Sequence, residues 1–494
     1  MLGWMLWGCA APEVVSDHPN IIVIDIDIDT LSADRVGVLR DGRSITPTMD
    51  ALAAQGTRYT SAYSQAGWTL PALTALLTGR YPAQVQAVGG RLSWRPDGAR
   101  DLAGILSMYD YDTAAFFGST VPGPMMQGVE QGFAHYAEGG RGSVGADVDR
   151  WLATAEEPFF ALVHEVDLHI RDERAPRGTV HRFAPGRRGC ARGGHFDVYR
   201  RIAQHRGPAE AAEHVIAHYD GLLSWYDEVL AAHLDALDAR GVAERTIVVV
   251  TSDHGEDLFV HAYGDHGILY DTVLRVPLIV YDPREPAGGK VVDTPVQTID
   301  LAPTLLSLAG LPVDTTMDGL PLDGALPDER PIFSLTNRTN ASLRSQGFKL
   351  VMRDMVDERV TTQGGGLRWR PAMAASNEAV LDILDAARGE TPSDQERYAA
   401  AGLQTAQQAA PTGGIRPERV AEQRMMELYE LATDPSELDN VLDAHPARGA
   451  AMAEALGQWL GQREADRPRV VTDDQRSLLQ DAGYWGMVAG EAEP

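Results

Sequence analysis

The chain has 494 residues and carries 43 basic side chains against 70 acidic ones, which gives a net charge of −27. This length is too great for one hydrophobic core and predicts one large domain with a smaller one. A hydrophobic content of 44% excludes a wholly disordered chain. The acidic balance argues against a surface that binds nucleic acid. The two cysteines, Cys9 and Cys190, exclude a disulfide framework and a cysteine-based zinc cluster.

The first twelve residues, MLGWMLWGCAAP, are apolar, and Leu6–Cys9 resembles a bacterial lipoprotein processing site. A complete signal has a basic start and a longer apolar stretch, and neither is present. One interpretation is a lipoprotein signal shortened by a late start codon, which implies a periplasmic or cell-surface lipoprotein. The other is a short apolar tail. No other segment approaches the ~20 apolar residues that span a bilayer, so the rest of the chain is predicted to be soluble.

Short β-branched apolar runs predict buried strands, with helical stretches between them. The predicted strands are Asn20–Ile28, Tyr111–Phe117, Pro158–His164, Thr246–Val250 and Pro277–Tyr281. The predicted helices are Thr48–Gln55, Ala72–Leu77, Glu210–Ala239 and Ile299–Ala309. This alternation predicts an α/β fold, in which helices flank a mainly parallel sheet and functional residues follow the carboxyl ends of the strands.

The pattern changes near residue 320 and predicts a smaller C-terminal α+β subdomain. Its predicted elements are the strands Pro331–Leu335, Phe348–Arg353 and Glu427–Leu431 and the helix His445–Arg463. The predicted organisation is a tail over 1–18, an α/β domain over 19–320, a subdomain over 321–465 with an insertion around 362–417, and an acidic tail over 466–494.

Four separated segments place acidic residues, histidines or a hydroxyl just after a predicted strand or at a helix start. They are Asp25, Asp27 and Asp29 with Thr30; Thr69 before Pro71; His164–His169; and Ser252–Glu256 followed by Asp265–Gly267. Carboxylate and imidazole groups that converge at strand ends suit a Zn²⁺ or Mn²⁺ hydrolytic site. A hydroxyl at a helix start lies beside backbone N–H groups, which favour an anionic substrate group.

Each of these features also has an ordinary structural interpretation. A lone aspartate after a strand is usually a turn residue, and Thr69 before Pro71 fits a plain helix N-cap. His169 or His266 alone fits an ordinary loop histidine. The four segments together favour a metal site over these separate interpretations.

In this order, the segments resemble the sulfatase branch of the alkaline phosphatase superfamily over nearly the whole chain. Ile28–Arg35 resembles its first-strand metal motif, Trp68–Pro82 its nucleophile motif, and Thr251–Glu256 its second metal motif. Val296–Gly310 and Glu427–Asn440 resemble its later landmarks. The resemblance implies an alkaline-phosphatase-like fold and a metal-dependent hydrolase of phosphate or sulfate esters.

The nucleophile motif departs from that family in informative ways. Family sulfatases convert a Cys or Ser, in a frame with Pro and Arg, to formylglycine, whereas this chain has Thr69–Leu73, TLPAL. Oxidation of a threonine would give a ketone and not an aldehyde, so no formylglycine is expected. Leu73 stands at the Arg position, and the Lys-Trp-His segment expected near Phe117–Ser119 is missing. What remains resembles relatives with an unmodified Thr: phosphodiesterases, nucleotide pyrophosphatases and phosphoethanolamine transferases.

The resemblance to those relatives implies that Thr69 is a metal-activated nucleophile. The ligands that it implies for one divalent ion (Zn²⁺, Mn²⁺ or Ca²⁺) are Asp29, Thr69, Asp253 and His254. A second ion, or the anionic oxygens of the substrate, would be bound by His169, His266 and Asp167. The two histidines are therefore further catalytic candidates.

The predicted activity is hydrolysis of a phosphodiester or phosphomonoester by Thr69. Three alternatives stay open: a sulfatase that uses the same Thr, a phosphoethanolamine-type transferase, and an inactive relative that binds an anionic group. Such transferases usually carry membrane helices, which this sequence lacks, and a binding module needs no such residue set. The expected partner is a small-molecule, glycan or lipid-head-group ester. No nucleic-acid partner and no transmembrane helix are expected, and the sequence gives no oligomeric state.

Overall fold

The structure is a computed structural model. It describes residues 18–26, 31–82, 100–118, 129–138, 144–165, 178–179, 182–183, 208–258, 260–261, 266–327, 329–336, 340–353, 355–357, 369–371 and 426–463. The predicted lipoprotein site at Leu6–Cys9 and the predicted acidic tail over 466–494 lie outside the described residues.

The larger part of the fold is a nine-stranded sheet with helices on both faces. The strands up to residue 297 are β1 Asn20–Ile26, β2 Leu39–Arg40, β3 Arg43–Ser44, β4 Thr57–Tyr63, β5 Asp112–Phe117, β6 His135–Glu138, β7 Phe159–Glu165, β8 Thr246–Thr251, β9 Arg275–Tyr281, β10 Lys290–Val292 and β11 Val296–Gln297. The helices are α1 Pro47–Gln55, α2 Thr69–Thr78, α3 Leu102–Leu106, α4 Val144–Leu152, α5 Pro208–Arg240, α6 Asp271–Leu274 and α7 Leu301–Leu308.

The strand order in this sheet is β10-β4-β9-β8-β1-β7-β5-β6, with β11 also beside β4, whereas β2 and β3 pair separately as a hairpin. The pairings within the sheet are parallel, apart from those that β9 makes with β4 and β8. The predicted mainly parallel sheet is therefore confirmed, with one antiparallel strand inside it.

Alternate side chains of β1 enter two different hydrophobic cores. Ile21 and Val23 pack in a core that includes side chains of α2, α3 and α7. Ile22 and Ile24 pack in a second core that includes side chains of α1, α4 and α5. Because both faces of the strand are buried, its sequence is an almost continuous apolar run rather than an alternating one. Asp25 near its end is therefore conspicuous.

The C-terminal part contains a four-stranded antiparallel sheet in the order β12-β13-β14-β17 and a small two-stranded sheet. The elements are β12 Ile332–Leu335, β13 Ala341–Ser345, β14 Phe348–Met352, β15 Met355–Asp357, β16 Trp369–Pro371, β17 Met426–Glu430 and α8 Pro446–Arg463. Leu456 and Trp459 of α8 pack in one core with Leu343, Leu350 and Leu428 of the sheet. The predicted smaller α+β part is confirmed, and β16 lies inside the predicted insertion over 362–417.

Two local differences from the sequence predictions have physical reasons. The strands β4 (TRYTSAY) and β13 (ASLRS) were not predicted because polar residues interrupt their apolar pattern. Helix α2 begins three residues before the predicted Ala72, since the carbonyl of Trp68 already accepts a hydrogen bond from the backbone N–H of Ala72. Among the described helices, none is both long and apolar enough to cross a membrane.

Candidate active site

Three neighbouring strands bring the candidate residues together at one edge of the sheet. In the parallel register, Asp25 of β1 lies opposite His164 of β7 and also opposite Thr251 of β8. Asp253 follows β8 by two residues. Because the carboxyl ends of parallel strands meet at one edge, a shared register is enough to group side chains that are more than 200 residues apart in sequence.

Asp25, His164 and Asp253 form a buried group that could hold a metal ion. Each offers a ligand atom, and these atoms lie within 4.8 Å of one another. All three residues are at most 1% exposed. The Nε2 atom of His164 lies 3.6 Å from Oδ2 of Asp25. Two carboxylates and an imidazole are suitable ligands for Zn²⁺ or Mn²⁺.

The electrostatics of this group also fit a bound cation. Burial, and then the charge of Asp25, raises the pKa of Asp253 well above its ordinary value. Burial lowers the pKa of His164 to about 3, so that its imidazole is neutral near pH 7. Two buried carboxylates repel each other unless a positive charge compensates them, and a neutral imidazole is the form that ligates metals. The group therefore has the chemistry of a divalent metal site.

Thr69 and His254 lie beside this group. The Oγ1 atom of Thr69 is 3.3 Å from Nε2 of His254, and that same Nε2 is 3.3 Å from Oδ2 of Asp253. The Nδ1 atom of His254 lies 3.3 Å from the carbonyl of Gly255. A carbonyl at Nδ1 favours the tautomer with its proton there. The lone pair of Nε2 then faces Thr69 and can accept its hydroxyl proton or ligate a cation.

Thr69 is the first residue of α2, and the cap position belongs to Trp68. The interpretation of Thr69 as a plain N-cap is therefore wrong, because its hydroxyl faces His254 and it is already inside the helix. Trp68 is held in place by its indole Nε1, which donates to the carbonyl of Thr336 at 2.6 Å. The backbone N–H groups of Thr69 and Leu70 have no acceptor within the helix, and such groups at a helix start favour negative charge.

The loop after β8 is held by hydrogen bonds of Ser252 and by a close backbone approach at Gly255. Ser252 Oγ accepts a hydrogen bond from the backbone N–H of Leu31 and donates one to the carbonyl of His254. The backbone N–H of Gly255 donates to the carbonyl of Val273. A Cβ atom at Gly255 would lie 2.6 Å from the carbonyl of Thr272, so this close approach requires glycine.

His266 lies against the same loop from another segment. Its ring centre is 4.7 Å from that of His254, and its Nδ1 is 3.5 Å from Oε2 of Glu256. The next residue, Gly267, donates its backbone N–H to the carbonyl of Gly67 at 2.7 Å, just before the helix that carries Thr69. The structure thus groups four of the candidates from the sequence: Thr69, Asp253, His254 and His266.

The remaining predicted ligands, Asp29, Asp167 and His169, lie outside the described residues, and their roles stay predictions from the resemblance. The sequence did not assign Asp25 and His164 as ligands. Their signal was a charged or ionisable side chain inside an otherwise apolar buried strand. Leu73, at the position of the family's Arg, is fully buried in the hydrophobic core.

Comparison with known proteins decides the family. The profile of the family described as Sulfatase matches residues 19–311 of this chain. The chain belongs to the sulfatase family. It is 24% identical to the ulvan-active sulfatase of Formosa agariphila over 357 residues, which cover 63% of this chain and 66% of that protein. It is 27% identical to human arylsulfatase A over 374 residues, which cover 65% of this chain and 70% of that protein.

Solved structures of two hydrolases share this fold. The phosphonate monoester hydrolase of Agrobacterium radiobacter superposes with a TM-score of 0.58 at 19% identity, with 90% of this chain and 96% of that chain covered. A 2-O GAG sulfatase superposes with a TM-score of 0.59 at 19% identity, with 91% and 93% covered. The predicted alkaline-phosphatase-like fold is confirmed, and this sulfatase-family chain is a hydrolase that acts on ester bonds.

Proposed function

We propose that this sulfatase-family protein is a divalent-metal-dependent hydrolase of phosphate or sulfate esters in which unmodified Thr69 is the nucleophile. The observation that carries the proposal is the 3.3 Å contact between Thr69 Oγ1 and His254 Nε2, beside the buried ligand group. A threonine hydroxyl is a weak nucleophile at neutral pH and needs activation. The geometry offers that activation from a histidine and a metal site together.

Asp25, His164 and Asp253 would hold the ion, with Thr69 and His254 at its border. A divalent ion bound there supplies a Lewis acid that lowers the pKa of a coordinated hydroxyl and stabilises anionic ester oxygens.

His254 Nε2 accepts the proton that Thr69 loses as the Thr69 oxygen bonds to phosphorus or sulfur, and the ester's alcohol leaves with that proton. Water then cleaves the bond to Thr69 and releases phosphate or sulfate. The N–H groups at the start of α2 stabilise the negative charge on the ester oxygens. His266, whose ring lies beside that of His254, binds an ester oxygen of the substrate.

The presence of threonine at position 69 makes phosphate esters, rather than sulfate esters, the first substrates to test. The family's aldehyde-derived nucleophile cannot form from Thr, and Leu73 is buried where family sulfatases have Arg. Sulfate-ester hydrolysis by the same Thr69 is the second candidate. The observation that favours it is that the similar proteins include an ulvan-active sulfatase and a 2-O GAG sulfatase, which suggests a sulfated glycan as substrate.

A paired assay tests the proposal. Protein loaded separately with Zn²⁺, Mn²⁺ or Ca²⁺ is assayed on an aryl phosphate monoester, an aryl phosphodiester and an aryl sulfate. We expect turnover of at least one ester, loss of that turnover in chelator and recovery on addition of the ion. Full activity in chelator on protein free of divalent metal would contradict the proposal. The ratio of kcat/KM values between the phosphorus and sulfur esters then chooses between the two candidates.

A further inference from the structure

The end of β12, in the C-terminal sheet, pairs with the segment that leads from β4 into α2. The backbone N–H of Leu335 donates to the carbonyl of Gln65 at 2.8 Å, and Leu335 forms a parallel bridge with Ala66. Ser334 Oγ donates to the carbonyl of Ser64 at 2.7 Å, across 270 residues of sequence. All five residues are at most 2% exposed. The C-terminal sheet is therefore attached to the chain just before the helix that begins with Thr69.

Trp68 extends this attachment to the residue directly before the nucleophile. Its indole Nε1 donates to the carbonyl of Thr336 at 2.6 Å, and its side chain is 1% exposed. A buried indole N–H that loses its acceptor is destabilising, so this hydrogen bond favours one orientation of the ring. Trp68 is the cap residue of α2, and its carbonyl accepts a hydrogen bond from the backbone N–H of Ala72. The same residue therefore joins the C-terminal sheet to the first turn of α2.

The backbone at Gly67 is held closely from two other segments. Its carbonyl accepts a hydrogen bond from the backbone N–H of Gly267 at 2.7 Å. A Cβ atom at Gly67 would lie 2.5 Å from the carbonyl of Ile268 and 3.4 Å from Cγ2 of Thr336. Contacts this close require glycine and leave the segment little room to move. The placement of Thr69 therefore depends on the packing around Gly67 and Trp68.

We propose that Trp68, through its hydrogen bond to the carbonyl of Thr336, is a positioning residue that places the hydroxyl of Thr69 against His254. The proposal rests on the function proposed above for Thr69. The separation to be maintained is the 3.3 Å between Thr69 Oγ1 and His254 Nε2. A displacement of about 1 Å in a reacting group can lower a rate about 100-fold. The C-terminal sheet thus contributes to catalysis through position alone, and Trp68 touches neither substrate nor metal ion in this account.

The kinetics of Trp68→Phe test this role. Phenylalanine keeps an aromatic ring but lacks the indole N–H. We expect kcat to fall about 10- to 100-fold at matched metal content and KM to change less than about threefold, because Trp68 does not contact the substrate. An unchanged kcat in the folded enzyme is the result expected of a purely structural tryptophan, and it would overturn the proposal.

Trp151→Phe is the matched control. Trp151 is 8% exposed and packs in the second core, on α4, so its replacement should lower stability while kcat stays within about twofold of wild type. An equal loss of kcat in this variant would contradict a specific role for Trp68. If Trp68→Phe does not fold, 3-benzothienylalanine at position 68 replaces it in the same assay, since this residue has sulfur in place of the N–H and a ring of nearly the same size.

A second readout does not depend on turnover. Crystal structures of the metal-loaded wild type and variants give the distance between Thr69 Oγ1 and His254 Nε2. We expect the contact in wild type and in Trp151→Phe, and a Thr69 displaced by about 1 Å or divided between conformers in Trp68→Phe. An unmoved Thr69 in Trp68→Phe would overturn the proposal. If no ester is hydrolysed, the proposed function fails, and these structures still decide whether Trp68 positions Thr69.

Discussion

Thr69 differs from an ordinary helix-start threonine in both its position and its partner. It is the first residue inside α2, and its hydroxyl is 3.3 Å from His254 Nε2. Because Thr69 is the proposed nucleophile, Thr69→Ala should raise the activation free energy by at least ~4 kcal/mol, which lowers kcat about a thousandfold. Thr69→Ser should keep part of the activity because it retains the oxygen. Steady-state kinetics of both variants, at matched metal content, measure the effect, and near wild-type turnover in the Ala variant would exclude a nucleophilic role.

Replacing Asp25 should have two opposite effects: weaker metal binding and higher stability of the metal-free protein. Because Asp25 is a proposed ligand, Asp25→Asn should weaken binding of Zn²⁺ or Mn²⁺ at least ~10-fold, which is about 1.4 kcal/mol of binding free energy. The same change removes a like charge beside Asp253. In chelator, the variant should therefore be more stable than wild type, since buried carboxylates repel each other.

Metal content by elemental mass spectrometry and thermal unfolding in chelator check these two opposite effects. Asp110→Asn is the control, because Asp110 is exposed and has a positive φ that asparagine also tolerates. A variant that binds the ion as tightly as wild type would show that Asp25 is not a ligand.

The candidate site shows what a single sequence can and cannot predict at this scale. Thr69, Asp253 and His254 were singled out because they follow a predicted strand or precede a helix, whereas His266 came from the family resemblance, and the structure groups all four. The contribution of Asp25 was missed because it depends on strand pairing. Only the register that sets Asp25 opposite His164 turns two isolated side chains into a ligand pair.

The elements themselves were predictable where local chemistry decides them. Buried parallel strands such as β8 (TIVVVT) are apolar on both faces, and α1 begins at Pro47, which suits a first helical turn. Strand β4 was missed because its polar residues give no strand pattern in the local sequence. Its pairing with β9 and β10, which are distant in sequence, places it in the sheet. The antiparallel insertion of β9 likewise has no local signal.

The junction of β7 and α5 contains a pH-sensitive contact. His233 Nε2 lies 3.3 Å from Oε1 of Glu165, and Nδ1 lies 3.9 Å from Oδ1 of Asp149. Burial alone would lower the pKa of His233, but the two carboxylates outweigh it and raise the pKa to about 9. An unfolded histidine titrates near 6.5, so this stabilisation is fully present below pH ~6.5 and is lost as the pH rises through 9.

Comparison of wild type with His233→Gln checks that contact. The free energy of unfolding of the variant should be lower by about 2 kcal/mol near pH 6, and the difference should shrink toward pH 9.5. The partial exposure of Asp149 keeps the expected value this small, because solvent screens its charge. Urea unfolding at several pH values measures the difference, and a gap that stays constant with pH would rule out a charged His233.

At the scale of the whole molecule, a buried ion cluster joins the large sheet to the C-terminal sheet. Lys349 of β14 is 1% exposed, and its Nζ contacts Asp271 of α6 at 2.5 Å and Glu437 at 2.8 Å. Arg344 of β13 pairs with the other oxygen of Asp271. Because α6 also supplies the carbonyl that holds Gly255, this cluster links the C-terminal sheet to the active-site loop.

Lys349→Met should lower the free energy of unfolding by about 3 kcal/mol or more, because buried Glu437 loses the lysine that pairs with it and Asp271 keeps only Arg344. The chain has one other lysine, Lys290, which is exposed, so Lys290→Met is a matched control with an expected change below ~0.5 kcal/mol. Denaturant unfolding of the two variants gives the comparison. Equal stabilities would show that the cluster contributes nothing net to the fold.

The central claim is that unmodified Thr69 becomes covalently linked to the substrate's phosphoryl or sulfuryl group. The direct test is mass spectrometry of the peptide that contains Thr69, from metal-loaded enzyme quenched in acid before and during turnover of its best ester. We predict plain threonine in the resting enzyme and a phosphoryl or sulfuryl group on Thr69 during turnover. A Thr69 that stays unmodified from the first turnover to the steady state, or a transferred group on another side chain, would contradict this account.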